Sequence, residues 1–480
     1  MNWLNAHGSL WGWLYLASEW IVRGAMLLYV PERRPPSAAR TWLLLIFLFP
    51  WPGLVLYLFV GRIHLPARRR ALLEEMSGRI REAAHTLPVA IRTPLAELPH
   101  DVADAAELAE NLTAFPMLGG NSVELLGDYE GSLNRLAADL DVATTRIHLL
   151  YYIYADDEVA SRVTEALERA ARRGVKCRLL LDGIGAKPAL KKLAPRLRRE
   201  GIEVTELLPV RFFRPRRPRL DVRNHRKLAI IDGTVGYVGS QNIVAPRFVP
   251  GFPNEELVAR VTGPVVAEFE AVFLEDRVLE LGAGTGIRPH LEGMARTGPV
   301  FAQLVPSSPG YRQQTFATLL LSLIHQARHR ITITTPYCVP DEPFLAALRT
   351  AVARGVEVRL IVPRHSNQRL TVLAQNSFFA ELLEAGVRIY RYRPHFLHAK
   401  SIAIDDEVVI VGSSNMDIRS FALNAEANLL LHDANVASQL RAINERHLAN
   451  SDPLTLAEWN KRSFWVRVAQ NTARLADSFL

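Results

Sequence analysis

The chain has 480 residues, of which 49% are hydrophobic and 22% are charged, and its 57 basic and 49 acidic side chains give a net charge of +8. This composition excludes a disordered chain, and the length allows two or three domains with cores of their own. The two cysteines, Cys177 and Cys338, lie far apart without CxxC spacing, which excludes a disulfide framework and a cysteine-based zinc site. The positive charge favours anionic partners, either nucleic acid or acidic lipid.

The N-terminal region, residues 1–62, contains two apolar segments, 10–30 and 41–60, each about as long as a bilayer-spanning helix. We predict that they form a transmembrane helical hairpin. The second segment has no charged residue, and its two prolines are expected to kink it. The first segment contains Glu19 and Arg23, which are spaced to pair on one helix face. An interfacial amphipathic helix is therefore the alternative for the first segment.

Residues 63–115 are predicted to form a juxtamembrane helix and a linker, without visible chemistry. Basic residues cluster where this region begins, and the positive-inside rule favours the cytoplasmic side for them. The loop between the two apolar segments is basic as well, so the predicted orientation is a preference rather than a deduction.

The rest of the chain contains one unit written twice. The segment 144–183 matches 327–363 in order and character: an apolar strand, an acidic turn, an amphipathic helix that ends in Arg-Gly-Val, and another strand. Each copy then has a third apolar strand, at 228–231 and at 401–404. We therefore predict an α/β fold of two tandem α-β-α domains related by pseudo-twofold symmetry. Their predicted boundaries are 116–285 and 286–480.

A polar motif with fixed spacing surrounds each third strand, and its two copies are identical in spacing. The first copy consists of His225, Lys227, Asp232, Gly239, Ser240 and Asn242, and the second of His398, Lys400, Asp405, Gly412, Ser413 and Asn415. A single His-x-Lys pair is more often a surface pair, and a single Gly-Ser-x-Asn more often a turn. Recurrence in the same register favours a functional site.

The residue types of the motif suit a phosphate group. His and Lys two positions apart on a strand point to the same face. The lysine and asparagine side chains supply donors toward an oxyanion, and Ser240 and Ser413 can add a hydroxyl or a backbone N–H. Neither motif offers the carboxylate cluster that magnesium needs or three histidines for zinc. We therefore expect a site without a metal and without another cofactor.

Two histidines allow displacement at phosphorus through a covalent intermediate. One attacks to form a phosphohistidine, while the other protonates the leaving alkoxide and later deprotonates the second alcohol or water. Glu256 and Glu426, each two residues after an asparagine, are predicted to orient the histidines through the far ring nitrogens. A polar turn is the alternative for these two segments. Asp232 and Asp405 are assigned to the catalytic motif, where they are expected to order its backbone.

The paired motifs resemble those of the phospholipase D superfamily and, within it, the bacterial cardiolipin synthases. Other family-like features are the segments 223–227, 335–342 and 419–424, although Cys338 stands where an aromatic residue is common and Ser240 where a second glycine is frequent. The resemblance implies phosphatidyl transfer from one phosphatidylglycerol to another, giving cardiolipin and glycerol without a metal. It also favours His225 as the nucleophile and His398 as the acid.

The superfamily includes nucleases, so the family resemblance does not choose between lipid and nucleic acid as the substrate. The position of the charged residues has to distinguish the two. Eight basic residues and one acidic residue lie between 211 and 227. We expect this run to dock at an anionic bilayer surface, with a solvated loop or a nucleic-acid contact as alternatives. The predicted hairpin favours lipid, which makes phosphatidylglycerol and the anionic membrane the expected partners. Nucleic acid and an obligatory protein partner are not expected.

The resulting prediction is a multi-pass enzyme of the bacterial inner membrane with catalytic domains in the cytoplasm. A hydrolase with the same site, either a phospholipase D or a membrane-tethered nuclease, is the first alternative. A catalytically silent scaffold that gathers acidic lipid is the second, and the two intact motifs disfavour it.

Overall fold

The structure, a computed structural model, describes residues 2–34, 36–61, 66–87, 91–92, 95–209, 222–282, 295–311 and 314–475. A small N-terminal unit extends to Pro66, and a large compact unit includes most of the chain from Ala67 onward.

The N-terminal unit consists of short and long helices. Its elements are α1 (Asn2–Tyr29), α2 (Pro36–Leu48), α3 (Pro50–Leu56) and a π-helical turn (Tyr57–Gly61). Phe49 separates α2 from α3, because prolines occupy the first turn of α3, where their missing N–H groups need no helical partner. The rings of Trp42 and Tyr57 pack edge to face at 5.2 Å.

The two apolar segments are not confirmed as transmembrane helices. Within the ranges given above, no helix combines the length and the apolar character needed to cross a bilayer. The predicted span 41–60 is divided among α2, α3 and the π-helical turn. The predicted span 10–30 lies in α1 apart from its last residue, and there Glu19 and Arg23 form an ion pair at 3.3 Å.

The large unit begins with two helices and the first repeat. The elements are α4 (Ala67–His85), a 3-10 turn (Leu95–Glu97), α5 (His100–Thr113), β1 (Leu118–Leu126), α6 (Tyr129–Asp141), β2 (Arg146–Tyr151), α7 (Glu158–Arg172), β3 (Lys176–Asp182), α8 (Lys187–Lys192), α9 (Ala194–Arg199), β4 (Glu203–Leu207), β5 (Lys227–Ile231), β6 (Val235–Gly239), β7 (Asn254–Glu255), β8 (Val258–Thr262) and α10 (Val266–Leu281).

The second repeat follows the same plan with additional short elements. They are β9 (Val300–Ser307), α11 (Thr315–Gln326), β10 (Arg330–Thr334), β11 (Cys338–Val339), α12 (Glu342–Ala353), β12 (Glu357–Pro363), α13 (Arg369–Glu384), β13 (Arg388–Tyr392), β14 (Phe396–Leu397), β15 (Ser401–Ile404), β16 (Val408–Gly412), β17 (Met416–Asp417), α14 (Ile418–Ala422), β18 (Glu426–His432), α15 (Ala434–Ala449), β19 (Ser451–Leu454), α16 (Leu456–Asn460) and α17 (Phe464–Arg474).

Equivalent caps delimit the two predicted repeat helices. Asp157 accepts hydrogen bonds from the first turn of α7, and Asp341 does the same for α12. Gly174 and Gly355 follow these helices with φ of 89° and 87°, a left-handed conformation that glycine adopts without a Cβ penalty. The repeated strand–helix–strand unit is therefore present in both copies.

Both repeats contribute to one fifteen-stranded sheet. Its order is β19-β13-β12-β10-β15-β16-β18-β9-β1-β8-β6-β5-β2-β3-β4. Apart from β19, the order is equivalent when read outward from the antiparallel β9–β1 junction, as a pseudo-twofold axis there requires. The predicted α/β fold of two repeats is confirmed. The division at residues 285 and 286 stays a prediction.

Three apolar clusters pack against the sheet. One lies in each repeat, and a third, with α10 and α15 on it, is shared by both. Helix α5, which belongs to the predicted linker, buries Val102, Ala105 and Ala109 in the cluster of the second repeat. Part of the predicted linker therefore belongs to the core of the large unit.

Candidate active site

Strands β5 and β15 begin at the predicted site and position its histidines and lysines. Lys227 is the first residue of β5, and Lys400 directly precedes β15. The Nζ atom of Lys400 donates a hydrogen bond of 2.7 Å to the carbonyl oxygen of His398, and Lys227 donates in the same way to the carbonyl of His225. Each lysine therefore fixes the backbone of the histidine that it follows.

Each histidine binds a glutamate of the other repeat. The Nδ1 atom of His225 lies 3.0 Å from both carboxylate oxygens of Glu426. The Nδ1 atom of His398 lies 2.8 and 2.9 Å from those of Glu256. In both pairs Nδ1 is engaged, so Nε2 is the ring nitrogen left to face a substrate.

Short backbone pairings between the repeats create this exchange. Strand β14 runs parallel to β7, and the backbone N–H of His398 donates to the carbonyl of Glu255 at 2.8 Å. On the other side, the N–H of His225 donates to the carbonyl of Ala425 at 2.8 Å. The residue after each carbonyl is the glutamate that binds the histidine. Neither repeat could complete its site alone.

Burial dominates the electrostatics of the site. It lowers the pKa of His398 to about 4 against the opposing effect of Glu256, and it lowers the pKa of His225 against that of Glu426. It also lowers the pKa of Lys227 to about 7 and that of Lys400 to about 8. These are the shifts expected for cationic groups removed from water.

The two half-sites influence each other. Lys400 further lowers the pKa of His225, and Lys227 further lowers the pKa of His398. The charges of the two lysines therefore act on the same site between the repeats. An anion bound there would offset the mutual repulsion of the cationic groups, so the arrangement suits a phosphodiester.

The serines of the motifs bind protein groups rather than facing this space. The hydroxyl of Ser240 accepts from the N–H of Leu257 at 2.9 Å, and that of Ser413 accepts from Ala427 at 3.0 Å and donates to Glu426. Their backbone N–H groups also bind carbonyls of the neighbouring strands. In these contacts Ser240 and Ser413 orient the glutamates and the strands that hold them, and their phosphate-binding role stays a prediction.

The asparagines of the two motifs have different surroundings. The side-chain carbonyl of Asn242 accepts from the backbone N–H of Ile153 at 3.0 Å. That of Asn415 is buried, and it has no hydrogen-bond partner among the residues that the structure describes. Asn254 and Asn424 donate to Glu256 and Glu426 at 3.5 and 3.4 Å. Asn254 thus lies in strand β7 rather than in the alternative polar turn, and both asparagines contact the glutamates of the site.

Asp232 and Asp405 lie at the far ends of β5 and β15, about 16 Å from the motif lysines at the usual rise of a strand. The carboxylate of Asp232 accepts from the backbone N–H groups of residues 144–146 and from two threonine hydroxyls. That of Asp405 accepts from the N–H groups of residues 328–330. Both order the turn before a neighbouring strand, and the structure does not bring them to the phosphate site.

The basic residues of the run before the first motif that the structure describes are buried. Residues 210–221 lie outside the described ranges. Arg223 is buried and binds Asp182 at 2.9 Å, and Arg226 is buried and binds Asp276 at 2.7 Å. The prediction that these two arginines dock at a bilayer is wrong, because their charges are neutralised inside the fold.

The chain is similar to known proteins over most of its length. The family described as "Cardiolipin synthase, PLD-like domain" matches residues 136–277 and 320–448, and the family "Phospholipase_D-nuclease N-terminal" matches residues 13–62. Cardiolipin synthase A of Serratia proteamaculans is 34% identical over 471 residues, covering 95% of this chain and 96% of the relative. That of Pectobacterium atrosepticum is 33% identical with the same coverage. The chain belongs to the bacterial cardiolipin synthase family of the phospholipase D superfamily.

The predicted family is thereby confirmed. Among solved structures, phosphatidylserine synthase from Haemophilus influenzae is similar to this cardiolipin synthase family member with a TM-score of 0.59 at 15% identity, covering 78% of this chain and 100% of that one. At that identity the likeness supports the fold.

Aromatic residues around the histidines of this family member had not been predicted. Tyr152 packs edge to face on His225 at 4.9 Å, while Phe248 packs on His398 in the same way at 5.4 Å. Phe396 lies 5.6 Å from His398. The position of Tyr152 at the end of β2 offered a sequence signal, but Phe248 lies in a loop without one.

A carboxylate next to the site was also missed. Glu255 binds His395 at 2.7 Å and His447 at 3.2 Å, and these two histidines hold its pKa at about 2 against the raising effect of burial. This cluster fixes the strand that presents Glu256.

In the part of the chain that the structure describes, no three His, Cys, Asp or Glu side chains converge in a group that could hold a metal ion.

Proposed function

We propose that the chain is a cardiolipin synthase, a phosphatidyltransferase that converts two molecules of phosphatidylglycerol into cardiolipin and glycerol. The observation that supports this most directly is the exchange of glutamates between the repeats, which leaves two Nε2 atoms available beside two buried lysines. A nucleophile and a proton donor are the two groups that double displacement at phosphorus requires.

In the first step, Nε2 of His225 attacks the phosphorus of one phosphatidylglycerol. A nitrogen–phosphorus bond forms and the bond between phosphorus and the headgroup oxygen breaks. His398 gives its Nε2 proton to that oxygen, so glycerol leaves. Glu426 accepts a hydrogen bond from Nδ1–H of His225 and stabilises the positive charge that develops on the ring, while the proton stays on Nδ1.

In the second step, His398 removes a proton from a headgroup hydroxyl of another phosphatidylglycerol. The hydroxyl oxygen attacks phosphorus, the nitrogen–phosphorus bond breaks, and cardiolipin forms while His225 is restored. Burial lowers the pKa of His398 to about 4, so its ring is neutral near pH 7 and its Nε2 has a free lone pair for this proton. In the first step the bound phosphodiester raises the pKa of the same histidine, because an anion stabilises the imidazolium.

Lys227 and Lys400 are proposed to bind the nonbridging phosphate oxygens, with the amides of Asn242 and Asn415 as further donors. Both ammonium groups are buried, and in such surroundings a charge-assisted hydrogen bond to phosphate is strong. Since the phosphate charge stabilises the lysines in return, we expect their pKa to rise when the substrate binds.

We further propose that the N-terminal unit attaches the enzyme to the bacterial inner membrane, with the catalytic unit on the cytoplasmic side. The helices of this unit expose large apolar side chains, among them Trp11, Trp13, Trp20, Ile21, Leu28, Leu44 and Phe59. Contiguous exposed apolar surface of this kind, rich in tryptophan, is typical of a membrane contact. It places the enzyme where phosphatidylglycerol lies.

The test is a product analysis of detergent-purified protein with headgroup-labelled phosphatidylglycerol in the absence of divalent metal. We expect cardiolipin with one equivalent of glycerol, and we expect His225→Ala to abolish both products. His325→Ala is the matched control, because His325 lies exposed on the last turn of α11 and its ring contacts the carbonyl of Leu321 in the same helix.

Other products would change the proposal. Phosphatidic acid with glycerol, without cardiolipin, would make the enzyme a hydrolase. Incorporation of label-free alcohols such as phosphatidylethanolamine would change the acceptor while leaving the site chemistry in place. A His225→Ala variant with unchanged cardiolipin output would remove the proposed nucleophile.

A further inference from the structure

The last helix, α17, has its apolar side turned to solvent. Trp465 is 75% exposed, whereas Gln470 is 3% exposed where the helix meets the protein. The other exposed apolar side chains of this helix and of its C-cap are Phe464, Val466, Val468 and Leu475. A surface helix of a soluble protein normally does the opposite, with its apolar side on the core and its polar side in water.

Four of these five exposed apolar side chains lie on one face of the helix, and Val466 lies outside it. At 3.6 residues per turn, Phe464, Leu475, Val468 and Trp465 fall within an arc of about 100°. The rings of Phe464 and Trp465 also contact each other at 5.3 Å. This arrangement is the stripe of an amphipathic helix that lies in a membrane interface.

The helix is held in place by its polar side. It packs against α13, and Arg474 pairs with Glu381 of that helix and lies 4.1 Å over the ring of Phe378. Ser463 caps its first turn. The stripe is therefore presented by a formed helix on a fixed support, so contact with a bilayer requires no folding step.

The charge beside the stripe is positive. From residue 459 to residue 475 the sequence contains four basic residues and no acidic one. Two of them, Lys461 and Arg467, are exposed next to Phe464 and Trp465. Basic side chains flanking an aromatic stripe favour a surface of anionic lipid, each contributing about 1 kcal/mol near such a surface.

We propose that α17 is a membrane-contacting helix whose Phe464, Trp465 and Val468 side chains insert into the interface of an anionic bilayer. This contact is separate from the one proposed for the N-terminal unit, and it does not depend on the chemistry at the histidines. It would hold the catalytic unit itself at the lipid surface, in addition to the attachment at the N-terminus.

The test uses the full chain with an environment-sensitive fluorophore attached after Trp465→Cys. The native thiols of Cys177 and Cys338 are buried, which raises the pKa of both to about 12, so the label reacts at position 465. The matched control is Val142→Cys, because Val142 is 73% exposed at the end of α6 in the first repeat.

In proteoliposomes that contain phosphatidylglycerol, we expect the label at position 465 to shift its emission to shorter wavelength and to be quenched by nitroxide groups on lipid chains. The label at position 142 should show neither effect. Vesicles of phosphatidylcholine alone, or the additional change Arg467→Glu, should weaken the shift. Cardiolipin formation in detergent should be unchanged in the labelled protein, which checks its fold.

Two results would overturn the proposal. In the first, the label at position 465 would report water as the label at position 142 does. In the second, a shift would depend on protein concentration and resist the lipid-borne quencher, which would indicate a contact between two copies of the chain. If Trp465→Cys fails to accumulate, Leu475→Cys places the label on the same stripe and is read in the same way.

Discussion

The two half-sites use the same types of polar residue, but their histidines have different aromatic neighbours. In each, a histidine binds a glutamate of the other repeat and a lysine binds the histidine's carbonyl. The side chain of His225 is 13% exposed and lies beside Tyr152, which can hydrogen-bond to water. That of His398 is 8% exposed and lies between Phe248 and Phe396.

A single loop accounts for part of this difference. The side-chain carbonyl of Asn254 accepts from the backbone N–H of Phe248 at 3.2 Å, and the amide of the same asparagine donates to Glu256. In the other half, the side-chain carbonyl of Asn424 is buried and has no hydrogen-bond partner within the described ranges. The loop that covers His398 is thus tied to the glutamate that orients it. The two histidines thus have equivalent polar partners but different aromatic surroundings, which is consistent with the different steps proposed for them.

The largest expected effect comes from removing either histidine. We expect His225→Ala and His398→Ala each to lower kcat by about 10⁴-fold or more, because the two groups act as a unit. The comparison lies in the covalent intermediate. With labelled phosphatidylglycerol and an acid-free quench, His398→Ala should retain a slowly formed phosphohistidine, whereas His225→Ala should show none. Label retained only in His225→Ala would reverse the two roles.

Removing one glutamate charge should have a smaller effect on the rate, and the pH dependence of that effect should differ between the two half-sites. We expect Glu426→Gln and Glu256→Gln each to lower kcat/KM by about 100-fold, since such partners orient the ring and support its charge. Each carboxylate raises the pKa of its histidine, so its loss lowers that pKa.

The pH profile of kcat/KM separates the two variants. For His225, which must be neutral to attack, a lower pKa moves the acid limb to lower pH. For His398, which must be protonated to release glycerol, a lower pKa moves the basic limb to lower pH. Movement of the same limb in both variants would contradict the assignment of separate roles.

Much of this site could be predicted because it depends on local spacing. The strand predicted at 401–404 is β15, and the strand predicted at 228–231 begins one residue earlier, at Lys227. The exchange of glutamates could not be predicted, since it depends on how the repeats pair in space. The same limit applies to Ser240 and Ser413, because a sequence does not show where a hydroxyl points.

The predictions that relied on the average charge or average hydropathy of a sequence window were not confirmed. Arg223 and Arg226 belong to a basic run, but their partners Asp182 and Asp276 lie 41 and 50 residues away, beyond any local charge pattern. Mean hydropathy over 41–60 does not register that Phe49 separates two helices. Long-range pairs and a local break in a helix are both lost when a window is averaged.

The apolar side chains around His398 are expected to limit hydrolysis relative to transfer, because they exclude water from the acceptor site. We expect Phe248→Ala to raise the ratio of phosphatidic acid to cardiolipin about 5-fold, because water gains access to the base that activates the acceptor. Phe248→Leu should restore the original ratio. Phe252→Ala, in the same loop but stacked on His365, is the matched control. An equal ratio in all three variants would show that these side chains only support the fold.

The smallest expected effect concerns the two motif aspartates, at the far ends of the strands. Asp232 accepts five hydrogen bonds and Asp405 three, while both have left-handed φ angles of 53° and 50° that asparagine tolerates. We expect Asp232→Asn to lower the free energy of unfolding by about 2 kcal/mol and Asp405→Asn by about 1 kcal/mol. Thermal unfolding in detergent at pH 7 measures both, with catalytic constants per folded molecule unchanged.

The pH dependence of that loss identifies its cause. Hydrogen bonds from the backbone and from Thr145 hold the pKa of Asp232 at about 2 against the raising effect of burial, whereas an unfolded aspartate titrates near 3.9. Its stabilising contribution is therefore complete above about pH 4 and is lost as the pH falls toward 2. The gap between the wild-type chain and Asp232→Asn should narrow over that window. A gap that stays constant would assign the effect to packing rather than to the charge.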